Sequence, residues 1–169
     1  MALPRKLKQM NLFGDGVSYH GQATEVTVPK LAIKAESYRA GGMLGEVDID
    51  LGLEKLEIEH KYGGIMPEIL KQFGSPKIDG LLLRFAGSYQ RDDTGDVEAV
   101  EVVVRGRHTE IDPGNAKMGD DTEHTVKSSL TYYKLIVAGE TLVEIDMINL
   151  VYIVDGTDLM EKHRAAIGL

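Results

Sequence analysis

The chain has 169 residues, 43% of them hydrophobic and 27% charged, with a formal net charge of −8 and no cysteine. That is ordinary globular composition, and the length argues for a single domain over 1–169. The missing cysteines exclude a disulfide framework and thiolate zinc sites, no run of about 18 apolar residues is present to span a membrane, and the acidic balance disfavours a nucleic-acid binder.

In chain order, MALPRKLKQM carries Arg5, Lys6 and Lys8 but no apolar h-region follows, so residues 1–10 read as a basic arm and not as a secretory signal. VSYHGQATEVTVPKLAIKAE reads as two extended pieces joined near Gly21, with Pro29 at an edge or bulge. Lys34 to Gly45 reads as a long loop holding the glycine turn Arg39-Ala40-Gly41-Gly42-Met43. Next, EVDIDLGLEKLEIEH alternates acid and aliphatic. A strand that alternates has one dry and one wet face. Val47, Ile49, Leu56 and Ile58 are expected to fill the core, with Asp48, Asp50, Glu57 and Glu59 in water. The apolar parity changes across Gly52, which predicts a bulge or corner there.

MPEILKQFG predicts a short helix with Pro67 at its start, Gly74 past its end, and Ile69, Leu70 and Phe73 on its apolar face. IDGLLLRFAGSYQ and DVEAVEVVVRGR flank RDDTG as a hairpin, and SSLTYYKLIV and ETLVEIDMINLVYIV flank Ala138-Gly139 as another. His108 to Lys127 reads as a second long loop, and loops of that length are usually functional or reach outside the domain. DGTDLMEKHRAAIG predicts a last helix capped by Thr157 or Asp158 and stopped by Gly168. The result is a mainly β chain: two packed antiparallel sheets, sandwich or barrel-like, with one or two short α-helices and long arm-like loops.

Enzyme chemistry finds little purchase. His108, Glu110, Asp112 and His124 are the nearest approach to a metal cluster, but their spacing matches no zinc motif and surface polar residues in a loop explain them better. Ser88, Ser128 and Ser129 lie in strand patterns and not in a nucleophile elbow. Gly41-Gly42 and Gly63-Gly64 lack the strand–helix context of a phosphate loop. No enzyme activity, metal or cofactor is expected.

Five segments, LPRKLKQMNLFGDGVSYHG, VTVPKLAIKAESYRAGGM, FAGSYQRDDTG, VVVRGRHTEIDPG and YYKLIVAGETLVEID, with the terminal IGL, together resemble the major tail tube proteins of contractile-tailed phages, a group that includes the tubes of R-type pyocins. The resemblance runs over essentially the whole chain. It implies a structural virion protein: six copies form a ring, and rings stack into the inner tail tube. The tube encloses the tape measure protein, passes DNA as non-specific cargo, and meets the tail sheath, baseplate and tail-terminator proteins. Assembly in the host cytoplasm follows, with no membrane insertion. The alternative is the tube of a headless, pyocin-like particle or of a type VI secretion-like system. On this reading the contacts between subunits fall to the basic arm (Arg5, Lys6, Lys8) and to the glycine turn (Tyr38, Arg39, Gly41, Gly42, Met43). The lumen falls to strand carboxylates: Glu57 and Glu59 first, then Asp48, Asp50, Glu98, Glu101, Glu144 and Asp146.

Overall fold

The computed structural model describes residues 1–169. As expected it is mainly β, 53% strand, with two antiparallel sheets and two short helices. The strands are β1 (Lys6–Gly14), β2 (Val17–Ser18), β3 (Ala23–Thr27), β4 (Ile33–Tyr38), β5 (Val47–Leu53), β6 (Leu56–Tyr62), β7 (Leu81–Gln90), β8 (Val97–Asp112), β9 (His124–Val137), β10 (Glu140–Asp146), β11 (Val151–Val154) and β12 (Thr157–Asp158). The helices are α1 (Pro67–Gln72) and α2 (Glu161–Ile167).

Ten strands form one sheet in the order β12-β11-β10-β9-β8-β7-β1-β2, with β3 and β6 attached through β9; β4 and β5 form a separate two-stranded sheet. The long hairpin β8–β9 is its spine. Along one edge of β9, residues 132–137 pair with β10 and residues 124–130 pair with β6. A register shift separates the two halves: β8 residues Arg105 and Gly106 are consecutive, but their partners are Tyr132 and Leu130. Extra residues of this kind bend a strand and tighten its twist, so one strand serves two directions and the sheet wraps a core.

That core is made by the inward residues of the alternating strands: Leu81, Leu83 and Phe85 of β7, Val102 and Val104 of β8, Val126 and Leu130 of β9, and Leu56 and Ile58 of β6. Met66 and Ile69 bring α1 into the same core. The α1 start at Pro67 and the positive φ of Gly74 agree with the sequence pattern, but only Ile69 is buried; Leu70 and Phe73 face solvent. A two-turn helix has room for one inward side chain.

Both hairpin turns form where expected: Arg91 N–H donates to the Asp96 carbonyl, and Ala138 and Gly139 both take positive φ, as a two-residue turn demands. Four expectations change. Residues 34–45 are not all loop, because Lys34 to Tyr38 belong to β4. Of 108–127, only 113–123 is loop, because β8 runs on to Asp112 and β9 begins at His124. Pro29 follows β3 and lies in no strand. The last helix starts later than expected: Thr157 and Asp158 form β12, and Met160 is the N-cap, its N–H bonded to the Asp158 carboxylate.

Gly106 decides whether the spine can form. A Cβ there would stand 1.9 Å from the Ser129 carbonyl oxygen, inside the fold and against backbone that cannot move aside. Gly106→Ala should therefore cost the subunit about 3 kcal/mol in urea unfolding. Gly41→Ala, where a Cβ meets nothing within 4 Å, should change the midpoint little.

Candidate functional site

The most unusual surface is the ribbon β4–β5. Its register sets Tyr38 against Val47, Glu36 against Ile49, Ser37 against Asp48 and Ala35 against Asp50. Side chains directly opposite share a face, so Tyr38, Val47, Ile49 and Leu51 make one apolar face and Ser37, Asp48 and Asp50 the other. Val47 and Ile49 were expected in the core and are not there: the apolar face is open, from 44% exposed at Ile49 to 53% at Leu51, whereas Leu56 and Ile58 of β6 are 1% exposed. Gly52, at φ +113, is the corner between these two fates. The same alternation is covered on one side of the corner and bare on the other.

The ribbon ends in residues 39–46. Met43 folds back, its sulfur accepting from the Ala40 N–H, and Gly42 takes φ +87. Leu44 projects fully into solvent at 100% exposure. The glycine turn is thus a tip, as its composition suggested, but its most exposed apolar side chain is Leu44. A single aliphatic among glycines gives no periodicity to read.

The eight carboxylates do not form one row. Glu57, Glu59, Glu101, Glu144 and Asp146 share the outward face of the ten-stranded sheet, opposite the core residues of β6, β8 and β10. Asp48 and Asp50 lie on the ribbon, and Glu98 lies near the N-terminal segment. The outward face is also not purely acidic. Lys61, Arg84, Arg105, Arg107, Lys127 and Lys134 lie among the acids, with ion pairs Lys55–Glu57 at 2.8 Å, Arg84–Glu101 at 3.4 Å and Lys127–Glu110 at 3.6 Å. Reading the carboxylates from one strand at a time missed the cations that neighbouring strands supply.

The basic arm is not free either. Lys6 to Met10 belong to β1, which pairs with β7. Arg5 Nε meets Glu98 at 2.7 Å, Lys8 Nζ meets Asp92 at 2.9 Å, and the Leu3 N–H donates to Asp93. The arm docks on the acidic β7–β8 turn of its own body. These contacts join residues 84 to 93 apart in sequence.

Of the four residues weighed as a metal cluster, His108 and His124 are core, while Glu110 and Asp112 are exposed. His60, His108 and His124 are buried, as is Ser128. One proton order fits the contacts. Tyr62 O–H donates to His60 Nδ1 (2.6 Å) and His60 Nε2–H to Ser128 Oγ (3.1 Å). Ser128 O–H donates to His108 Nδ1 (2.8 Å) and His108 Nε2–H to Gln72 Oε1 (3.2 Å). The Met66 N–H donates to His124 Nδ1 at 3.1 Å. Serine and histidine meet here as in a hydrolase, but Ser128 is fully enclosed and no substrate reaches it. The chain ties α1 to β6, β8 and β9.

The comparisons with known proteins fit this fold. The family model for phage tail tube protein FII matches residues 4–168. The chain belongs to that family. It is 49% identical over its full length, and that of the relative, to the tail tube protein of Escherichia phage P2. It is 43% identical to the major tail tube protein of Serratia phage KSP20, covering all of this chain and 99% of that one. Among solved structures, the fold is similar to a chain of the sheath–tube complex of PVC, an extracellular contractile injection system (TM-score 0.56, 11% identity, 79% of this chain and 90% of that chain). It is also similar to a chain of the PVC sheath/tube terminator (TM-score 0.57, 10% identity, 79% and 96%). The protein is therefore a structural phage tail tube protein, a virion component and not an enzyme.

The buried histidines give the tail tube protein a pH signature. Burial first, then the neighbouring His108 and His124, push His60 down to about 3; burial pushes His108 down to about 4 against an opposing pull from Asp15. Both fold as neutral bases below their ordinary value of 6.5. Their contribution is complete above that value and is lost as pH falls from 6.5 toward 4. Unfolding free energy of the subunit should drop by about 1.4 kcal/mol per pH unit for each histidine in that window. His108→Gln should roughly halve the slope in urea titrations at stepped pH.

Proposed function

We propose that six copies of this chain close into a ring through the β4–β5 ribbon and that the rings stack into the inner tube of the tail. The observation that carries this is the bare apolar face of Tyr38, Val47, Ile49 and Leu51, built on a two-stranded ribbon that the subunit itself leaves uncovered. Exposed apolar faces and open strand edges mark interaction surfaces. A tube protein supplies the partner from its own kind. The tip residues Arg39, Gly41, Gly42 and Met43 complete this contact. Arg5 and Lys8 are engaged within the subunit, so of the three basic residues of the N-terminal arm only Lys6 is left for a neighbour.

The same reading turns the outward sheet face to the lumen, with Glu57 and Glu59 on it. A face with interleaved charges stays hydrated. It has too little net positive charge to hold phosphates by counterion release, and too little apolar surface to grip the tape measure protein. The sheath lies outside, baseplate and terminator proteins meet the two ends, and assembly takes place in the host cytoplasm. A headless particle would share all of this except the passage of DNA.

Burying an aliphatic side chain is worth about 1.5–3 kcal/mol, so Ile49→Asp/Leu51→Asp should cost each subunit contact about 3 kcal/mol or more. The expected result is a subunit with unchanged circular dichroism that sediments as a monomer and gives no tubes by negative stain. Tubes of ordinary length from this variant overturn the reading of the ribbon. For the lumen, Glu57→Lys/Glu59→Lys should still assemble, while DNA ejection from reconstituted particles slows. Unchanged ejection removes those two residues from the lumen.

A further inference from the structure

A cavity of about 370 Å³ opens where the base of the ribbon, the β10–β11 turn and α2 meet. Leu53, Met147 and Met160 give it an apolar, adaptable wall, while Asp50, Asp146 and His163 supply its polar groups. Asp146 is occupied in holding the turn, through the N–H groups of Ile148 and Asn149; Asp50 spends one oxygen on the Gly52 N–H. This is a hole of small-ligand size with carboxylates beside it, set at the foot of an arm that the same chain extends.

We infer that this cavity receives Leu44 of a second copy, with that copy's Arg39 set against Asp50 and Asp146. The inference rests on the reading that the ribbon reaches a neighbouring subunit, and names where its tip lands. Leu44 cannot enter the cavity of its own chain. It lies beyond the last pair of the ribbon, Tyr38–Val47, which is itself five residues from Gly52, roughly 17 Å at the strand rise. Arg39 is exposed and takes no part in the subunit's ion pairs. Met118 is the other fully exposed apolar side chain within the fold, but its loop carries Asp120 and Asp121, and Lys117 is already paired with Asp120 at 3.6 Å. That loop would bring like charge to Asp50 and Asp146. A knob and a hole on different parts of one surface make a heterologous contact, which closes into a ring or propagates as a stack.

The chain has no cysteine, so engineered pairs report cleanly. Leu44→Cys/Met160→Cys should give, after mild oxidation of assembled tubes, a ladder of covalent multimers on a non-reducing gel, and neither single variant should. Arg39→Glu should raise the protein concentration needed for tubes about tenfold, and adding Asp50→Arg should recover most of that. Tubes without a ladder and without charge rescue overturn the cavity assignment and leave the ribbon reading standing. A ladder from Met118→Cys/Met160→Cys in its place moves the knob to the other loop and also overturns it. Ordinary tubes from Ile49→Asp/Leu51→Asp sink the ribbon reading itself.

Discussion

The subunit depends on the approach of Gly106 to the Ser129 carbonyl. At that point β8 and β9 shift register, and the lower half of β9 turns its free edge to β6 while the upper half keeps β10. Without the shift, β9 would be a straight strand and the two partners would compete for one line of backbone groups. With it, the inward residues of β6 and β7 share one enclosed core. The polar chain from Tyr62 to Gln72 crosses this region and fastens α1 over it. Its members are mutually satisfied, which is the condition for burying so many polar groups at little cost.

A core closed in this way fixes what remains outside. The corner at Gly52 sends the chain from the covered strand β6 to the uncovered ribbon, and the apolar residues of β5 have nothing beneath them. The same wrapping turns five of the eight suspected carboxylates to one outward face and brings basic residues from β7, β8 and β9 among them. Folding thus separates two surfaces: a balanced, hydrated sheet face and an amphipathic ribbon. The ribbon is the more acidic, with Glu36, Glu46, Asp48 and Asp50 against Lys34 and Arg39.

Much of the fold was legible because local pattern and tertiary environment agreed. The hairpins at RDDTG and Ala138-Gly139, the start and end of α1 and the inward Leu56 and Ile58 follow from period and turn chemistry. The errors share one physical cause. Alternation says that a strand has two faces; it does not say what lies opposite either of them. Val47 and Ile49 carry the same pattern as Leu56 and Ile58 and meet water. His108 and His124 looked like loop because polar residues interrupt the apolar period, yet they sit on inward positions: His108 is satisfied by Ser128 and Gln72, while His124 accepts from the Met66 amide and keeps its Nε2 buried without a partner. The basic segment looked free because its partners, Asp92, Asp93 and Glu98, come from a distant turn. Leu44 carried no signal at all, since one aliphatic in a glycine turn has neither period nor neighbour.

An apolar ribbon held in water is a hazard to its owner. Two such ribbons from any two copies could stack on their bare faces, and open edges invite further pairing. The chain limits this with charge. Glu36 stands on the apolar face itself, Asp48 and Asp50 line the reverse, and Glu46 flanks the tip, so two ribbons laid together crowd four carboxylates apiece against only Lys34 and Arg39. Long-range repulsion between bodies of net charge −8 adds to this at low ionic strength. A partner escapes the penalty only if it offers apolar cover and places a cation beside the acids. Apolar burial then supplies the affinity of the contact, and the carboxylates decide which of the many possible contacts is permitted.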